Sequence, residues 1–174
     1  MTKIIFSGFG GQGILTLGQI VATIAMKKGS QVSWMPSYGA EMRGGTANCA
    51  VIISDTIIGS PIVDSEIDIL CAMNDASVMK FLGKVREDGN AFINSSIVVQ
   101  TPQRAGVNIR EIDATNIATK IGNAKVANMV MLAGFLKDTD LFTMEDVAGA
   151  LNDIFGEKYP HLIPLNIEAV KAGG

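Results

Sequence analysis

Cysteine is scarce in this sequence. Two residues of 174, Cys49 and Cys71, stand far apart with no companions. Without a C-x-x-C pair, the chain cannot build a zinc ribbon or an iron–sulfur cluster alone. Both thiols read as buried and free. There is one histidine, His161, between Pro160 and Leu162. It reads as structural rather than as a general base. Charge is sparse at 18%, and the net charge is −3, with an isoelectric point near 5.1. Such a chain has no basic surplus to displace counterions, which excludes nucleic acid as a partner. No apolar run approaches the ~20 residues of a membrane span, so no membrane association is expected. Disorder is excluded by the opposite excess: 48% of residues are apolar and the mean hydropathy is +0.32. The low charge suits a chain that buries surface against partner subunits, and a homo-oligomer is expected when it is isolated. The start, Lys3-Ile4-Ile5-Phe6, reads as a strand rather than a signal peptide, so a reduced cytoplasmic protein is expected.

What is present is an alternation of strands and helices over residues 1–113, followed by a helical tail. Ile4–Ser7 reads as a strand. Gln12–Lys28 reads as a helix, because Ile14, Leu17, Val21, Ile24 and Ala25 recur near a 3.6-residue period. Gln31–Met35 is a second strand closed by Pro36. Asn48–Ile53 is a third, and Asp55–Gly59 turns into a further short extended piece. Asp68–Met73 leads to a helix over Asp75–Leu82 with Asn74 as its cap. Ala91–Asn94, Ile97–Gln100 and Val107–Asp113 carry the extended pattern. Helices are expected over Asn116–Ile121, Val126–Leu136, Met144–Phe155 and Ile167–Lys171, the third opened by Thr143. This predicts one α/β domain over 1–174: three layers, α/β/α, with a Rossmann-like start and a helical C-terminal part. The short span from Asn48 to Val63 leaves no room for a crossover helix, so the mostly parallel sheet should be mixed.

Gly8-Phe9-Gly10-Gly11-Gln12-Gly13 fits G-x-G-x-x-G between a strand and a helix, a context in which backbone N–H groups hold a phosphate. Three readings stand: an NAD(P) site, a site for another phosphate-bearing ligand, or a turn whose glycines only permit close packing. Against the first, the second strand ends without the acid that would hold a ribose. No Gly-Lys-Ser/Thr follows, which excludes a P-loop. The second candidate is Pro36-Ser37-Tyr38-Gly39-Ala40-Glu41-Met42-Arg43-Gly44-Gly45-Thr46. Ser37, Tyr38, Glu41, Arg43, Gly44 and Gly45 form either a solvated surface loop or a loop that docks a subunit or ligand. Arg43 beside two glycines suits the second, since a guanidinium on open backbone can grip a carboxylate or phosphate.

No G-x-S-x-G elbow, H-E-x-x-H or metal-spaced aspartate cluster occurs, so no catalytic residue and no metal ligand is assigned. Asp64, Glu66 and Asp68 read as an exposed turn, and Met129, Met131 and Met144 as core. The residues alone suggest a binding or assembly subunit. A free-standing NAD(P)-dependent dehydrogenase and a small regulatory nucleotide-binding module are the alternatives.

At these loops the chain resembles the gamma subunit of the 2-oxoacid:ferredoxin oxidoreductases, the equivalent of the gamma domain of pyruvate:ferredoxin oxidoreductase. The resemblance runs through Gly8–Ile14, Pro36–Cys49 and Ile58-Gly59-Ser60-Pro61, and covers nearly the whole chain. It implies a complex that converts a 2-oxoacid and coenzyme A to acyl-CoA and carbon dioxide and reduces ferredoxin. It further implies alpha, beta and delta partner subunits carrying thiamine diphosphate, Mg and iron–sulfur clusters, with no cofactor bound by this chain alone. The isolated chain is expected to be inactive. Coenzyme A would pass near the gamma unit and give Gly8, Gly10, Gly11, Gln12, Gly13 and Arg43 a phosphate to meet. The Tyr38–Gly45 loop looks more like the 2-oxoglutarate and branched-chain types than the indolepyruvate type, with pyruvate still open.

Overall fold

A computed structural model describes residues 1–37 and 46–174. In chain order the elements are β1 (Thr2–Phe9), α1 (Ile14–Lys27), β2 (Gln31–Ser37), β3 (Thr46–Ser54), β4 (Ile67–Ala72), α2 (Asp75–Phe81), β5 (Val85–Asn94), β6 (Asn108–Ile112), α3 (Ala114–Lys120), α4 (Ala127–Thr139), α5 (Met144–Phe155) and α6 (Ile163–Gly173). Short 3₁₀ turns at Leu82–Lys84, Ala124–Val126 and Pro160–Leu162 join them.

The six strands form one mixed sheet in the order β2-β3-β1-β4-β5-β6. β1, β4, β5 and β6 are parallel. β3 runs antiparallel between β1 and β2. The mixed sheet and its antiparallel pairing are therefore as the spacing requires. The β1–α1–β2 unit is split: β3 takes the place beside β1 that β2 would hold in an uninterrupted crossover. Among the described residues, no helix is long and apolar enough to cross a membrane.

Helices cover both faces, unequally. On one, Ile4, Phe6, Cys49, Val51, Ile69, Cys71, Phe92 and Ile112 pack under α1, α3, α4, α5 and α6. On the other, among the described residues, Ile5, Ala50, Leu70, Ala72, Ala91 and Ile93 meet α2, the Leu82 turn and loop residues such as Val98. α4 is buried nearly throughout, from Ala127 to Leu136, because the sheet lies on one side of it and α3 and α6 on the others.

Several expectations are corrected. Ile97–Gln100 is not a strand: the amides of Ile97 and Val98 both donate to the Asn94 carbonyl, curling the chain at the end of β5. Asp55–Glu66 crosses to β4 without a further strand. β2 does not stop at Pro36, because an edge strand can spare one N–H. β5 starts at Val85, six residues before the expected Ala91, with Asp68 of β4 bound to Arg86 across the pair. α6 starts at Ile163, with Pro164 in its first turn. Met144 is exposed at the start of α5, whereas Met129 and Met131 are core. The caps at Asn74 and Thr143 are both present.

Candidate functional site

β1 and β4 lie side by side and parallel, but the chain leaves them in opposite directions. After β1 it enters α1 on the thickly covered face, and after β4 it enters α2 on the other. Where crossovers part in this way, a crevice opens beyond the carboxyl ends of the strands, the usual place for ligands in open α/β sheets. The glycine turn forms its wall. Met73, at the end of β4, is tied to β1 by its amide on the Ser7 carbonyl at 2.9 Å.

Gly8 is buried within β1, opposite Ala47. A Cβ there would come within 2.6 Å of Gln12 Oε1 and 2.9 Å of Ile14. Gly10 and Gly11 are exposed, and the Gln12 amide closes the turn on the Phe9 carbonyl at 3.2 Å. Gln12 folds back so that its Oε1 accepts the Phe9 amide at 2.6 Å. Its side-chain Nε2 donates to the Met73 carbonyl at 3.5 Å, and its Oε1 also accepts from Asn74 Nδ2 at 3.5 Å. Gly13 caps α1 in the left-handed region, at φ 71° and ψ 22°, where a side chain would be strained. Among the described residues no side chain caps α1, and its first turn holds no acid, so the positive end of its dipole is left open at this edge.

Around the turn stand residues that the motifs did not single out for the site. Asn74 Oδ1 accepts the Ser77 amide at 2.8 Å, and Ser7 and Ser77 share a buried hydroxyl pair at 2.9 Å. Asn128, from α4, donates to the Gly13 carbonyl at 3.1 Å. Asn74 carries a local cap signal. Asn128 carries none, because its contact spans 115 residues of sequence.

Ser37 ends β2 at this same edge, exposed, and pairs with Asn48, while Thr46 pairs with Phe9. The residues flanking the polar loop therefore stand beside the glycine turn. Tyr38, Glu41, Arg43, Gly44 and Gly45 lie outside the described residues. His161 is exposed on its 3₁₀ turn, edge-on to Tyr159, remote in sequence from both loops. Asp64 and Glu66 are exposed before β4, while Asp68 accepts the Lys3 amide at 2.7 Å. Cys49 and Cys71 flank Phe6 on neighbouring strands. Burial pushes both thiols up to about 12. Neither forms a nucleophilic thiolate near neutral pH.

The site thus offers backbone donors and a helix terminus, with neutral amides around them. That set can hold an anion and orient it; among the described residues it supplies no proton-transfer pair.

Residues 3–174 match the family model described as pyruvate ferredoxin/flavodoxin oxidoreductase. Ketoisovalerate oxidoreductase subunit VorA of Methanothermobacter thermautotrophicus is 35% identical over 98% of this chain, which spans only 35% of that relative's length. The gamma subunit of a keto/oxoacid ferredoxin oxidoreductase from Geobacter sulfurreducens superposes with a TM-score of 0.84 at 29% identity, covering 99% of this chain and 96% of that one. A 2-oxoglutarate:ferredoxin oxidoreductase from Magnetococcus marinus, described with 2-oxoglutarate, coenzyme A and succinyl-CoA bound, superposes at 0.86. That match has 24% identity and covers 99% of this chain and 30% of that one, so the likeness is one of fold.

Proposed function

The chain belongs to the pyruvate ferredoxin/flavodoxin oxidoreductase family as a gamma-type unit, and from that premise we propose that it serves assembly and coenzyme A handling in a 2-oxoacid:ferredoxin oxidoreductase complex. The reaction would turn a 2-oxoacid and coenzyme A into acyl-CoA and carbon dioxide while ferredoxin is reduced. Thiamine diphosphate, Mg and the iron–sulfur clusters are assigned to alpha, beta and delta partners. This chain's two thiols are sealed in the core, and the described residues bring no three of His, Cys, Asp and Glu together. On this reading the isolated chain turns over no 2-oxoacid and self-associates in the absence of its partners.

The observation that carries the coenzyme A part is the glycine turn at the point where α1 and α2 part to opposite faces, with an uncapped helix start beside it. Coenzyme A brings a pyrophosphate and a 3′-phosphate, ligands that such backbone donors favour. The substrate class proposed is a branched-chain 2-oxoacid or 2-oxoglutarate. The named activity of VorA supports the first, and that of 2-oxoglutarate synthase subunit KorC of Methanothermobacter thermautotrophicus, 30% identical over 87% of this chain, supports the second. The NAD(P) alternative fits poorly. β3 separates β1 from β2, so the carboxyl end of β2 stands two strand spacings, about 10 Å, from β1. That end carries Ser37 rather than an acid.

Arg43 tests the reading. In the reconstituted complex, Arg43→Ala should cost about 10- to 150-fold in a binding constant, and Arg43→Lys should restore little, because an ammonium lacks the planar fork. A raised Michaelis constant for coenzyme A with intact assembly places Arg43 at the ligand. Weakened assembly with an unchanged constant places it at an interface. If neither moves, the loop docks nothing through Arg43.

A further inference from the structure

We propose that Asn128 is a positioning residue for the glycine turn: it aims the Ile14 N–H at the crevice and so sets how tightly coenzyme A binds there. The inference rests on the reading that the turn receives a phosphate of that ligand.

Asn128 is the second residue of α4, and its neighbours from Ala127 to Leu136 are buried and otherwise apolar. A carboxamide in such surroundings is costly unless both of its ends are bonded. Both are. Its oxygen accepts the Met129 amide at 3.0 Å, and its nitrogen donates to the Gly13 carbonyl at 3.1 Å. Reversing the amide would set oxygen against carbonyl and NH2 against N–H, so the orientation is fixed by its partners.

The Gly13 carbonyl already accepts the first helical bond of α1, from Leu17 at 3.1 Å. Asn128 is a second donor on that oxygen. Because the peptide unit is planar, fixing the Gly13 carbonyl also fixes the N–H of Ile14 on the other side of the bond. A carbonyl pointing down the helix forces that N–H out of the helix start, where it has no intrahelical partner. The fit is close: a Cβ on Gly13 would overlap the Asn128 amide. One contact therefore links the C-terminal helices to the direction of a donor in the N-terminal loop. Gln12 secures the other end of the turn through Phe9.

The test uses the complete complex carrying Asn128→Ala, Asn128→Asp or, as the reference for the site, Gly8→Ala. Asn128→Asp keeps the volume and sets a carboxylate against a carbonyl. It decides the matter if the alanine variant does not assemble. Steady-state constants are measured for coenzyme A, and amide hydrogen exchange for the segment 9–17. The expected result is a Michaelis constant for coenzyme A raised about five- to tenfold, kcat changed by less than about twofold, and faster exchange in the segment. Unchanged exchange together with an unchanged Michaelis constant overturns the proposal. If Gly8→Ala raises the constant and the Asn128 variants do not, the proposal fails and the coenzyme A reading stands. If exchange quickens but no variant, Gly8→Ala included, moves the constant, the reading falls and the proposal falls with it.

Discussion

The two faces of the sheet are made from the same strands, yet they are covered by different means. On one, Phe135 of α4 meets Phe6, Phe92 and Phe142 at ring separations of 6.2–6.4 Å, with four further helices around it. On the other, Phe81 of α2 packs into a cluster of aliphatic residues, and the ammonium groups of Lys80 and Lys84 lie over its ring at 5.1 and 5.9 Å. That second layer also leaves large apolar side chains in water: Met79 of α2 and Val99, whose amide donates to Asp75 of α2, are each more than 60% exposed. The contrast shows that a strand's burial says little about how deep the layer above it is.

Phe135→Ala should expose how far the thick face depends on packing. A cavity among three aromatic rings should cost about 4 kcal/mol, read from the urea midpoint at unchanged slope. Phe81→Ala removes the same atoms under a shallower layer into which water and the lysine stems can move. A smaller loss, about 2–3 kcal/mol, is expected. Equal losses would break the comparison. Asn74→Ala removes the cap of α2, the one α-helix packed on the thin face among the described residues. It should cost about 1 kcal/mol in the same assay.

The thick face also carries a pH-dependent contact at its rim. The Thr143 amide, at 2.8 Å, and the Lys28 ammonium, at 2.9 Å, hold the Asp146 carboxyl below its ordinary range. A carboxyl lowered by folding stabilises above its unfolded value, about 3.9. That contribution is lost as the pH falls through the folded value. Asp146→Asn should flatten this acid limb, by less than about 1 kcal/mol because the group is solvated. Urea midpoints between about pH 2 and 6 check it. The smallest effect is expected from Lys27→Ala, whose partner Asp153 is likewise exposed: under about 0.5 kcal/mol in the urea midpoint.

Features set by neighbouring residues were legible in the sequence. The α1 periodicity, the Asn74 cap and the Thr143–Asp146 capping box each act within a turn or two of helix. What competed with local pattern was misread. Arg86-Glu87-Asp88 falls outside the expected strand at Ala91–Asn94, because nothing local shows Asp68 waiting on the neighbouring strand. Ile97, Val98 and Val99 looked extended because β-branched residues favour strands, yet the Asn94 carbonyl gathers the first two amides into a turn and the Val99 amide donates to Asp75. Pro164 masked the start of α6, although a first-turn proline is itself a start signal. At the site, the glycine turn was found by its motif and its place at the carboxyl edge followed from strand order. Asn128 was invisible, since a contact across 115 residues exists only after the sheet has closed. The insertion of β3 between β1 and β2 was equally hidden: the short connections required an antiparallel pairing but not which strand would make it.

The two sealed thiols give the molecule an internal clock. Cys49 and Cys71 stand on either side of Phe6, in the middle of the sheet, and neither is more than 1% exposed. An alkylating reagent added outside meets no other thiol on this chain. It can react only when the central strands part, and then the thiols ionise as ordinary ones do. Labelling therefore proceeds at the pace of rare openings of β1, β3 and β4, not of fraying at the edges. The rate at which this chain gains mass in a thiol reagent thus measures the integrity of its centre in the native state, without denaturant.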